Sequence, residues 1–327
     1  VGDALTKGAY IDADAAFKAM DETANYHRYE SMKDYLKLGY VPFDRNGSAV
    51  SVTLEYAYDD WCLYQQAKRL GNEAKAKEYY KRALSYRNIF DPAIAFSRPR
   101  YSDGSWKEPY SITHCSGEGY LEGNAMNYAF FVPHDVKGLI EQMGGDKKFI
   151  ENIDRLFTTD LDPEAYAETE DVTAEGLIGT YNHGNEPCQN IPYMYAWSSQ
   201  PWKTQYWVRE VLNRMYRNNI DGLCGNDDCG QMSAWYIFSA LGFYPVCPGT
   251  DQYVLGAPYM PYACIQLPEG KKLEVKAPGV SDKNRYVKST RLTSRTATSW
   301  PAALSNSRCR LSPTANVVSL PRQNPTL

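Results

Sequence analysis

Apolar residues recur at steps of three and four in one segment of this sequence after another, and this spacing constrains the fold more than any other feature. In the first such segment the apolar stripe comprises Leu54, Ala57, Tyr58, Trp61, Tyr64, Ala67 and Leu70. That spacing is typical of an amphipathic helix, and Gly71 stands where a C-terminal capping glycine belongs. The next segment, NEAKAKEYYKRALSYRNIFDP, repeats the pattern until Asp91 and Pro92 stop it. The two segments predict a helix hairpin.

Further segments continue the same alternation, and short connections rich in Gly, Pro and Asn separate them. They cover residues 124–132, 136–143, 147–157, 187–197, 202–215 and 231–241. No strand pattern lies between them, which predicts a mainly α array of helix hairpins. Such an array either closes into a toroid or stays open as a solenoid. The absence of a fixed repeat with recurring signature residues argues against a TPR or HEAT solenoid.

The residue pattern of the sequence changes after Pro248 and again at residue 289. Residues 249–288 contain short β-branched and aromatic runs broken by Gly and Pro, which predict a small β-strand appendix. Residues 289–327 contain no Asp, Glu, Gly or Lys and many Ser and Thr. Such a segment buries too little apolar area to offset its ordering entropy, so we expect it to be disordered. Its abrupt onset also resembles a frame-shifted or foreign terminus.

Composition excludes several classes of partner. The formal net charge is -4, and Lys and Arg form no basic stripe of the kind that nucleic acid selects. No run approaches the roughly 18 apolar residues of a membrane span. The 8 Cys include no C-x-x-C pair, so a zinc ribbon or thioredoxin-type motif is absent. Many of the 27 Tyr and 7 Trp stand beside polar residues, as in sugar-binding sites, although buried Tyr is also common in ordinary cores.

Four polar clusters each lie on a loop that opens a predicted helix. They are RPRYSDGSW (98–106), LEGNAMNYAFFVPHD (121–135), HGNEPCQNIPY (183–193) and GNDDCGQMSAWYIFSALGFYP (225–245). In a barrel of helix hairpins the loops at one end converge, so these clusters are expected to meet around one pocket. Inverting hydrolysis of a sugar needs a carboxylic acid and a carboxylate held roughly 6.5 to 9.5 Å apart. Glu122 and the pair Asp227 and Asp228 are the candidates.

Each candidate carboxylate also has a purely structural interpretation. Asp228, with Gln231 three residues later, matches a capping box at the start of the helix over residues 231–241. A capping aspartate keeps a free oxygen, so the two interpretations are compatible. Glu122 beside Gly123 is equally consistent with a solvated loop residue.

The HGNEP segment likewise has two interpretations. One is a polar turn followed by a helix that begins at Pro187, a good first helical residue. The other is a site for a hard cation, because Asn185 and Glu186 offer the amide and carboxylate oxygens that calcium prefers. His183 considered alone is more typical of a hydrogen-bonded structural histidine.

Six motifs in order resemble glycoside hydrolase family 92. They are LEYAYDDWC, RPRYSDGSW, EGNAMNYAFFVPHDVKGLI, HGNEP, QPWKTQYWVREVL and GNDDCGQMSAWYIFSALGFYPVCPG, and the match runs from about residue 40 to residue 288. That family comprises calcium-dependent, exo-acting, inverting α-mannosidases built from an N-terminal β-sandwich and an (α/α)6 barrel. The resemblance implies a partial (α/α)6 catalytic barrel over residues 1–248.

The resemblance also implies catalytic roles. Glu122, in the EGNA motif, would be the general acid, and Asp228 would be the general base that activates water from the opposite face. Asp227 would support the base or contact the sugar. Asn226 stands two positions before the base, where some members have an acid, so it would help to hold the water through its amide.

Ligand sites follow from the same resemblance. It points to Asn185 and Glu186 as the region that holds calcium, which would grip two hydroxyls of the terminal mannose. His183 and Trp202 would form walls of the mannose subsite. The implied substrate is terminal mannose of N-glycan or mannan chains, with α-1,2 as the expected linkage.

The chain also departs from the family pattern. Members place a β-sandwich before the barrel, whereas this sequence starts inside the barrel. With one or two helices in residues 13–38 the predicted helices number about ten, short of the twelve that close the ring. We therefore expect a fragment that is weakly active or inactive alone. A periplasmic or secreted bacterial origin fits the family, and nothing in the sequence indicates an oligomeric state.

The sequence allows three other functional interpretations. A trehalase-like or glucoamylase-like (α/α)6 glycosidase would use the same carboxylate chemistry without calcium. A mannoside-binding remnant would keep the aromatic pocket without catalysis. A helical protein-binding scaffold would have polar loops of no fixed chemistry, which the HGNEP and GNDDCG clusters disfavour.

Overall fold

The structure of the chain, a computed structural model, describes residues 1–115, 117–161, 176–267 and 270–287, and the backbone alone of residues 317–319. The chain divides into two compact units, Val1–Cys188 and Gln189–Leu327. Helices dominate both units, and the strands are short. The prediction of a mainly α fold is therefore confirmed. Among the described residues, no helix has the length and apolar character that crossing a membrane requires.

The first unit contains most of the helices. They are α1 (Gly2–Thr6), α2 (Ala13–Ala24), α3 (Met32–Leu38), α4 (Ala49–Arg69), α5 (Glu73–Ala83), α6 (Ala125–Tyr128), α7 (Val136–Gln142) and α8 (Asp146–Thr158). The predicted hairpin is present as α4 and α5, where Asn72 caps α5 by accepting a hydrogen bond from the Lys75 N–H. The helices predicted over residues 136–143 and 147–157 correspond to α7 and α8.

Helix α4 is central to the packing of the first unit. Leu63 and Ala67, on one part of its surface, join a buried cluster with residues of α2 and α5. Ala49 and Tyr56 join a second buried cluster with residues of α3. Because α4 packs on several neighbours, its apolar positions extend around most of the helix, and its polar positions inside the unit need specific partners.

The best-connected polar position on α4 is Asp60. Its side chain is buried, accepts a hydrogen bond from the Tyr35 hydroxyl (2.8 Å) and pairs with the Arg82 guanidinium (2.7 Å). The guanidinium also donates to the Ala24 carbonyl (2.9 Å). These contacts link α2, α3, α4 and α5 through one charge pair. A buried pair of this kind fixes the arrangement of the helices, because removal of one partner leaves the other charge uncompensated.

The prediction was wrong for two helices and missed four strands of the first unit. The helix expected over residues 124–132 is the short α6, and the helix expected from Pro187 is divided into a 3-10 turn (Glu186–Cys188), α9 (Ile191–Met194) and a second 3-10 turn (Tyr195–Trp197). Pro192 has no N–H to donate to the Cys188 carbonyl, so a continuous helix is interrupted there. Two antiparallel hairpins also lie between the helices, β1 (Phe90–Asp91) with β2 (Phe96–Ser97) and β3 (Leu177–Ile178) with β4 (Tyr181–Asn182).

In the second unit two long helices follow α9. These are α10 (Trp202–Met215) and α11 (Gln231–Leu241), both with the predicted bounds. The strands that follow are β5 (Phe243–Tyr244), β6 (Gln252–Leu255), β7 (Tyr262–Gln266) and β8 (Lys272–Lys276), and β6 to β8 lie in the predicted appendix. All strand pairs are antiparallel, β5 with β6 and β7 with β8. Of the segment predicted to be disordered, only β9 (Val317–Ser319) is described, and it pairs with β6.

The Asp60 network generates a stability prediction. Asp60→Asn removes the charge that compensates the Arg82 guanidinium, whose side chain is only 13% exposed, so we expect the free energy of unfolding to fall by about 3 kcal/mol. Urea unfolding followed by circular dichroism measures the change. The control is Glu151→Gln, at an exposed position on α8 whose nearest cations are surface lysines. A loss no larger than that of the control would show that the network does not stabilise the helices.

Candidate active site

The residues that the sequence singles out fall into two groups, one in each compact unit. The first unit contains Glu122, His183, Asn185 and Glu186. The second contains Trp202, Asn226, Asp227 and Asp228. Each group is built on a loop that a helix end holds in place.

The loop that carries Glu122 is fixed to the start of α4. The carbonyl of Gly119 accepts hydrogen bonds from the N–H groups of Val50 (2.9 Å) and Ser51 (3.3 Å). These two N–H groups lie in the first turn of the helix and have no partner within it. The Ser51 hydroxyl in turn accepts a hydrogen bond from the Leu121 N–H (3.0 Å). Glu122 therefore follows a backbone segment that α4 holds on two sides, and its own side chain is half-buried.

The EGNAMN sequence explains how the loop becomes a helix directly after Glu122. The Asn124 side chain accepts hydrogen bonds from the N–H groups of Met126 (3.0 Å) and Asn127 (3.2 Å). The Asn127 side chain returns the contact by accepting from the Asn124 N–H (3.2 Å). This reciprocal cap lets the four-residue α6 begin three residues after the candidate acid.

The segment that leads to HGNEP is anchored on the end of α8. At the turn between β3 and β4, Gly179 has a φ of 60°, and a Cβ there would lie 2.6 Å from the carbonyl carbon of Phe157. Only glycine tolerates this combination of left-handed backbone and close approach. The next residue, Thr180, donates its N–H to the Leu156 carbonyl (2.8 Å). The hairpin is thereby held against the last turn of α8.

Two side-chain amides join the HGNEP region to the Glu122 loop. The Asn127 Nδ2 donates to the Thr180 carbonyl (2.8 Å), and the Asn185 Nδ2 donates to the Glu122 carbonyl. Both bonds are buried at least in part. The structure thus brings the candidate acid loop and the candidate cation segment together within the first unit, and the convergence of all four clusters on one pocket stays a prediction.

His183 is completely buried. One of its ring nitrogens, Nδ1, lies 2.8 Å from the Tyr181 hydroxyl, and burial lowers the pKa of the imidazole to about 3. The ring is therefore neutral at every physiological pH. Because it has no solvent-exposed surface, contact with a sugar would require this segment to move. The geometry agrees with the interpretation of His183 as a structural histidine, and its role as a subsite wall stays a prediction.

Asn185 and Glu186 provide a test of whether a hard cation fits this region. Asn185 is buried, and its Oδ1 has no hydrogen-bond partner among the described residues. A buried amide oxygen without a donor is unusual in proteins and is suited to a cation. Nowhere in the described ranges do three His, Cys, Asp or Glu side chains form a metal-binding group. The donor set is thus amide and carboxylate oxygen, which fits calcium and does not fit zinc.

Glu55, which the sequence interpretation did not assign, lies in the same region. It follows Ser51 by one turn of α4, is half-buried, and makes no hydrogen bond or ion pair with the described residues. Burial raises the pKa of its carboxyl to about 8, with further contributions from the charges of Asp59 and Glu186. The signal in the sequence was the polar series Ser51, Glu55 and Asp59, at steps of four on a helix that is otherwise largely apolar.

In the second unit, Asp227 caps helix α11. Its carboxylate accepts hydrogen bonds from the N–H and the hydroxyl of Ser233, both at 2.9 Å. The predicted capping box between Asp228 and Gln231 is wrong, since the Gln231 amide donates to the Gln189 side chain instead (3.2 Å). The reason is local backbone geometry, because three consecutive residues with positive φ separate Asp227 from the helix.

Asp228 is the first residue of that left-handed stretch. Its φ is 30°, followed by 59° at Cys229 and 85° at Gly230. The carboxylate is exposed and has no hydrogen bond or ion pair with the described residues. Backbone strain of this kind at a non-glycine residue is concentrated at functional sites. Asp227 therefore takes the structural role, and Asp228 keeps a carboxylate that is open to a ligand.

Two further candidates lie in the second unit. Asn226 is exposed and directly precedes the Asp227 cap. Trp202 begins α10 with 49% of its surface exposed, and its ring meets the edge of Tyr286 at a centroid distance of 6.2 Å. An aromatic face of this size in solvent is suited to packing against the apolar face of a sugar ring.

Residues 1–308 match the glycosyl hydrolase family 92 catalytic domain, and the chain belongs to that family. The resemblance found in the sequence is thereby confirmed. The chain is similar to a family GH92 α-mannosidase from Bacteroides thetaiotaomicron, with 41% identity and a TM-score of 0.80 over 88% of this chain and 37% of that one. A structure of the same enzyme in complex with mannoimidazole gives a TM-score of 0.81.

Two more relatives agree with this assignment. A family GH92 inverting mannosidase from Bacteroides thetaiotaomicron VPI-5482 has 37% identity and a TM-score of 0.76, over 86% of this chain and 40% of that chain. An uncharacterized secreted glycosidase from Arthroderma benhamiae is 26% identical over 81% of this chain and 37% of its own length. The chain thus spans well under half the length of these relatives.

The raised pKa of Glu55 generates a pH prediction. Between the ordinary value of 4.5 and about 8, the folded chain holds a proton on Glu55 that the unfolded chain has lost. The free energy of unfolding therefore falls as pH rises through that window. We expect Glu55→Gln to be more stable than the parent in calcium-free urea unfolding at pH 8.5, with a smaller difference at pH 5. An equal difference at both pH values would contradict the assignment, and Glu151→Gln is the matched control.

The different roles of the two adjacent aspartates are also testable. Asp227→Asn weakens a charge-assisted cap at a helix N-terminus, so we expect a loss of about 1 kcal/mol in the free energy of unfolding. Asp228→Asn removes no contact with the described residues, so we expect a change within about 0.5 kcal/mol. Urea unfolding of the two isosteric variants measures the difference. A larger loss for Asp228→Asn would reverse the assignment.

Proposed function

We propose that this chain carries the catalytic centre of an exo-acting α-mannosidase that removes terminal mannose from N-glycan or mannan chains with inversion. Membership of glycosyl hydrolase family 92 supports the reaction class. The similarity to a GH92 α-mannosidase and to an inverting mannosidase supports the sugar and the stereochemistry. The single observation that carries the proposal is the exposed carboxylate of Asp228, which has no partner among the described residues, beside the structurally engaged Asp227.

Asp228 acts as the general base in this proposal. A base that activates water must have an oxygen free to accept the water's proton, and it must reach the sugar from one defined side. The Asp228 carboxylate has that free capacity, and the Asp227 cap fixes its loop to α11. Asn226 lies on the same loop and would orient the attacking water with its amide.

Glu122 acts as the general acid. It would protonate the glycosidic oxygen as the bond to the departing sugar breaks, while the water activated by Asp228 attacks from the opposite face. Because the acid must meet one oxygen atom, its loop has to be held in position, and the contacts from Ser51 and Asn185 to this loop provide the hold. Trp202 offers an aromatic surface for the terminal sugar.

Asn185 and Glu186 would hold calcium through the amide oxygen and the carboxylate. The chemistry that calcium would supply there is electrostatic, since a bound cation would attract hydroxyls of the terminal mannose and favour a flattened ring. We also propose that the α-1,2 linkage is the preferred one. We further propose a secreted or periplasmic location, and the secreted location is supported by the name of the Arthroderma relative, a secreted glycosidase.

Mannose release tests the proposal directly. A panel of α-mannobiosides with 1,2, 1,3, 1,4 and 1,6 linkages is incubated with the chain in calcium or in a chelator. We expect calcium-dependent release that is slow, in keeping with a fragment, and fastest for the α-1,2 disaccharide, and proton NMR should show β-mannose as the first product because the mechanism inverts. If turnover is too slow to measure, calcium-dependent binding of mannoimidazole, measured by calorimetry, tests the same site.

Substitutions of Glu122 and Asp228 test their roles as general acid and general base. Glu122→Gln and Asp228→Asn should each lower kcat by at least about 100-fold, because each removes a proton-transfer group. Glu151→Gln, the control, should leave kcat unchanged. Release of α-mannose as the first product, or full activity of either active-site variant, would contradict the mechanism. Glucose release from trehalose or maltose would instead support a different glycosidase.

A further inference from the structure

Asn185 uses its two amide atoms in different ways. Its Nδ2 donates a hydrogen bond to the carbonyl oxygen of Glu122, which is the backbone of the candidate acid. Its Oδ1 is buried and has no hydrogen-bond partner among the described residues. One half of the side chain thus holds the acid loop, and the other half finds no partner in the described part of the chain.

The two halves are rigidly connected. The carboxamide is planar, so the direction of the Oδ1 lone pairs determines the direction of the Nδ2 hydrogens. A cation on Oδ1 would fix the rotation of the amide and would polarise it, which strengthens the donor at Nδ2. The bond to the Glu122 carbonyl is therefore expected to be stronger and better oriented when a cation is bound.

We propose that Asn185 is a positioning residue that couples cation binding to the placement of the Glu122 loop. The inference rests on the proposed function, since it takes the cation to be calcium and Glu122 to be the acid. It adds a second effect of the cation on this chain. Besides its interaction with the sugar, cation binding orders the segment that carries the general acid.

A second amide provides a built-in comparison. Asn127 Nδ2 donates to the Thr180 carbonyl (2.8 Å), and its Oδ1 accepts from the Asn124 N–H (3.2 Å). Both atoms of this amide are satisfied within the protein, so Asn127 ties the same two segments together without a cation. The hairpin that contains Thr180 is held on α8, so the calcium-dependent part of the connection is the bond made by Asn185.

Amide hydrogen exchange measures the coupling without the need for turnover. Residues 121–127 of the full chain are followed by mass spectrometry in calcium and in a chelator, and calcium affinity is measured separately by calorimetry. If opening of this loop breaks the cation site, calcium at ten times its Kd should slow exchange about tenfold. Residues 146–158, in α8, serve as an internal reference and should not change.

Isosteric variants separate the two halves of the amide. Asn185→Asp keeps an oxygen for the cation and loses the donor to Glu122, so it should bind calcium while the slowing of exchange is lost. Asn127→Asp loses the donor to Thr180, so exchange in residues 121–127 should be faster both with and without calcium, and the tenfold effect of calcium should persist. Circular dichroism checks that each variant is folded.

The outcomes distinguish this inference from the proposed function. Calcium binding by the parent chain without any change in exchange at residues 121–127 overturns the coupling and leaves the mannosidase proposal standing. Absence of calcium binding by the parent overturns both the coupling and the calcium part of the proposal. Equal slowing in the parent and in Asn185→Asp also overturns the coupling. If a variant does not fold, the comparison of the parent chain with and without calcium remains decisive.

Discussion

The hydrogen bonds between the first turn of α4 and the loop before Glu122 are the interaction on which the candidate site of the first unit depends. The first-turn N–H groups of a helix need partners outside it, and here the Gly119 carbonyl accepts from two of them, while the Ser51 hydroxyl accepts from the Leu121 N–H of the loop. Helix α4 is itself fixed by apolar clusters and by the buried pair of Asp60 and Arg82. The position of the candidate acid therefore follows from the packing of the helices.

A second feature of the site is an unequal distribution of hydrogen bonds between neighbouring polar groups. The Asp227 carboxylate is engaged with Ser233, whereas the carboxylate of Asp228, the next residue, has no partner among the described residues. Asn185 shows the same inequality within one side chain. Satisfied groups hold the backbone, and the unsatisfied groups are the ones that a cation, water or sugar would satisfy. Of two neighbouring polar groups, one thus has a structural role and the other is available for binding or catalysis.

The sequence predicted the long helices well because their apolar stripes are long and uninterrupted, as in α10 and α11. It failed for the helix expected from Pro187, since Pro192 removes a hydrogen bond that a continuous helix needs. The motifs located the candidate loops but assigned the helix cap to Asp228, because the spacing of residues does not reveal a backbone with positive φ. Glu55 was missed because its environment depends on packing between α4 and distant segments.

The most direct test of the proposed inverting mechanism is a crystal structure of this chain with calcium and mannoimidazole bound. The separation of the Glu122 and Asp228 carboxyl groups is measured in it. We expect the two groups to flank the ligand at roughly 6.5 to 9.5 Å, the spacing that leaves room for an attacking water in an inverting enzyme. We also expect calcium to bind to the Asn185 and Glu186 oxygens. A separation of about 5 Å, or a ligand bound away from these residues, would contradict the proposed mechanism.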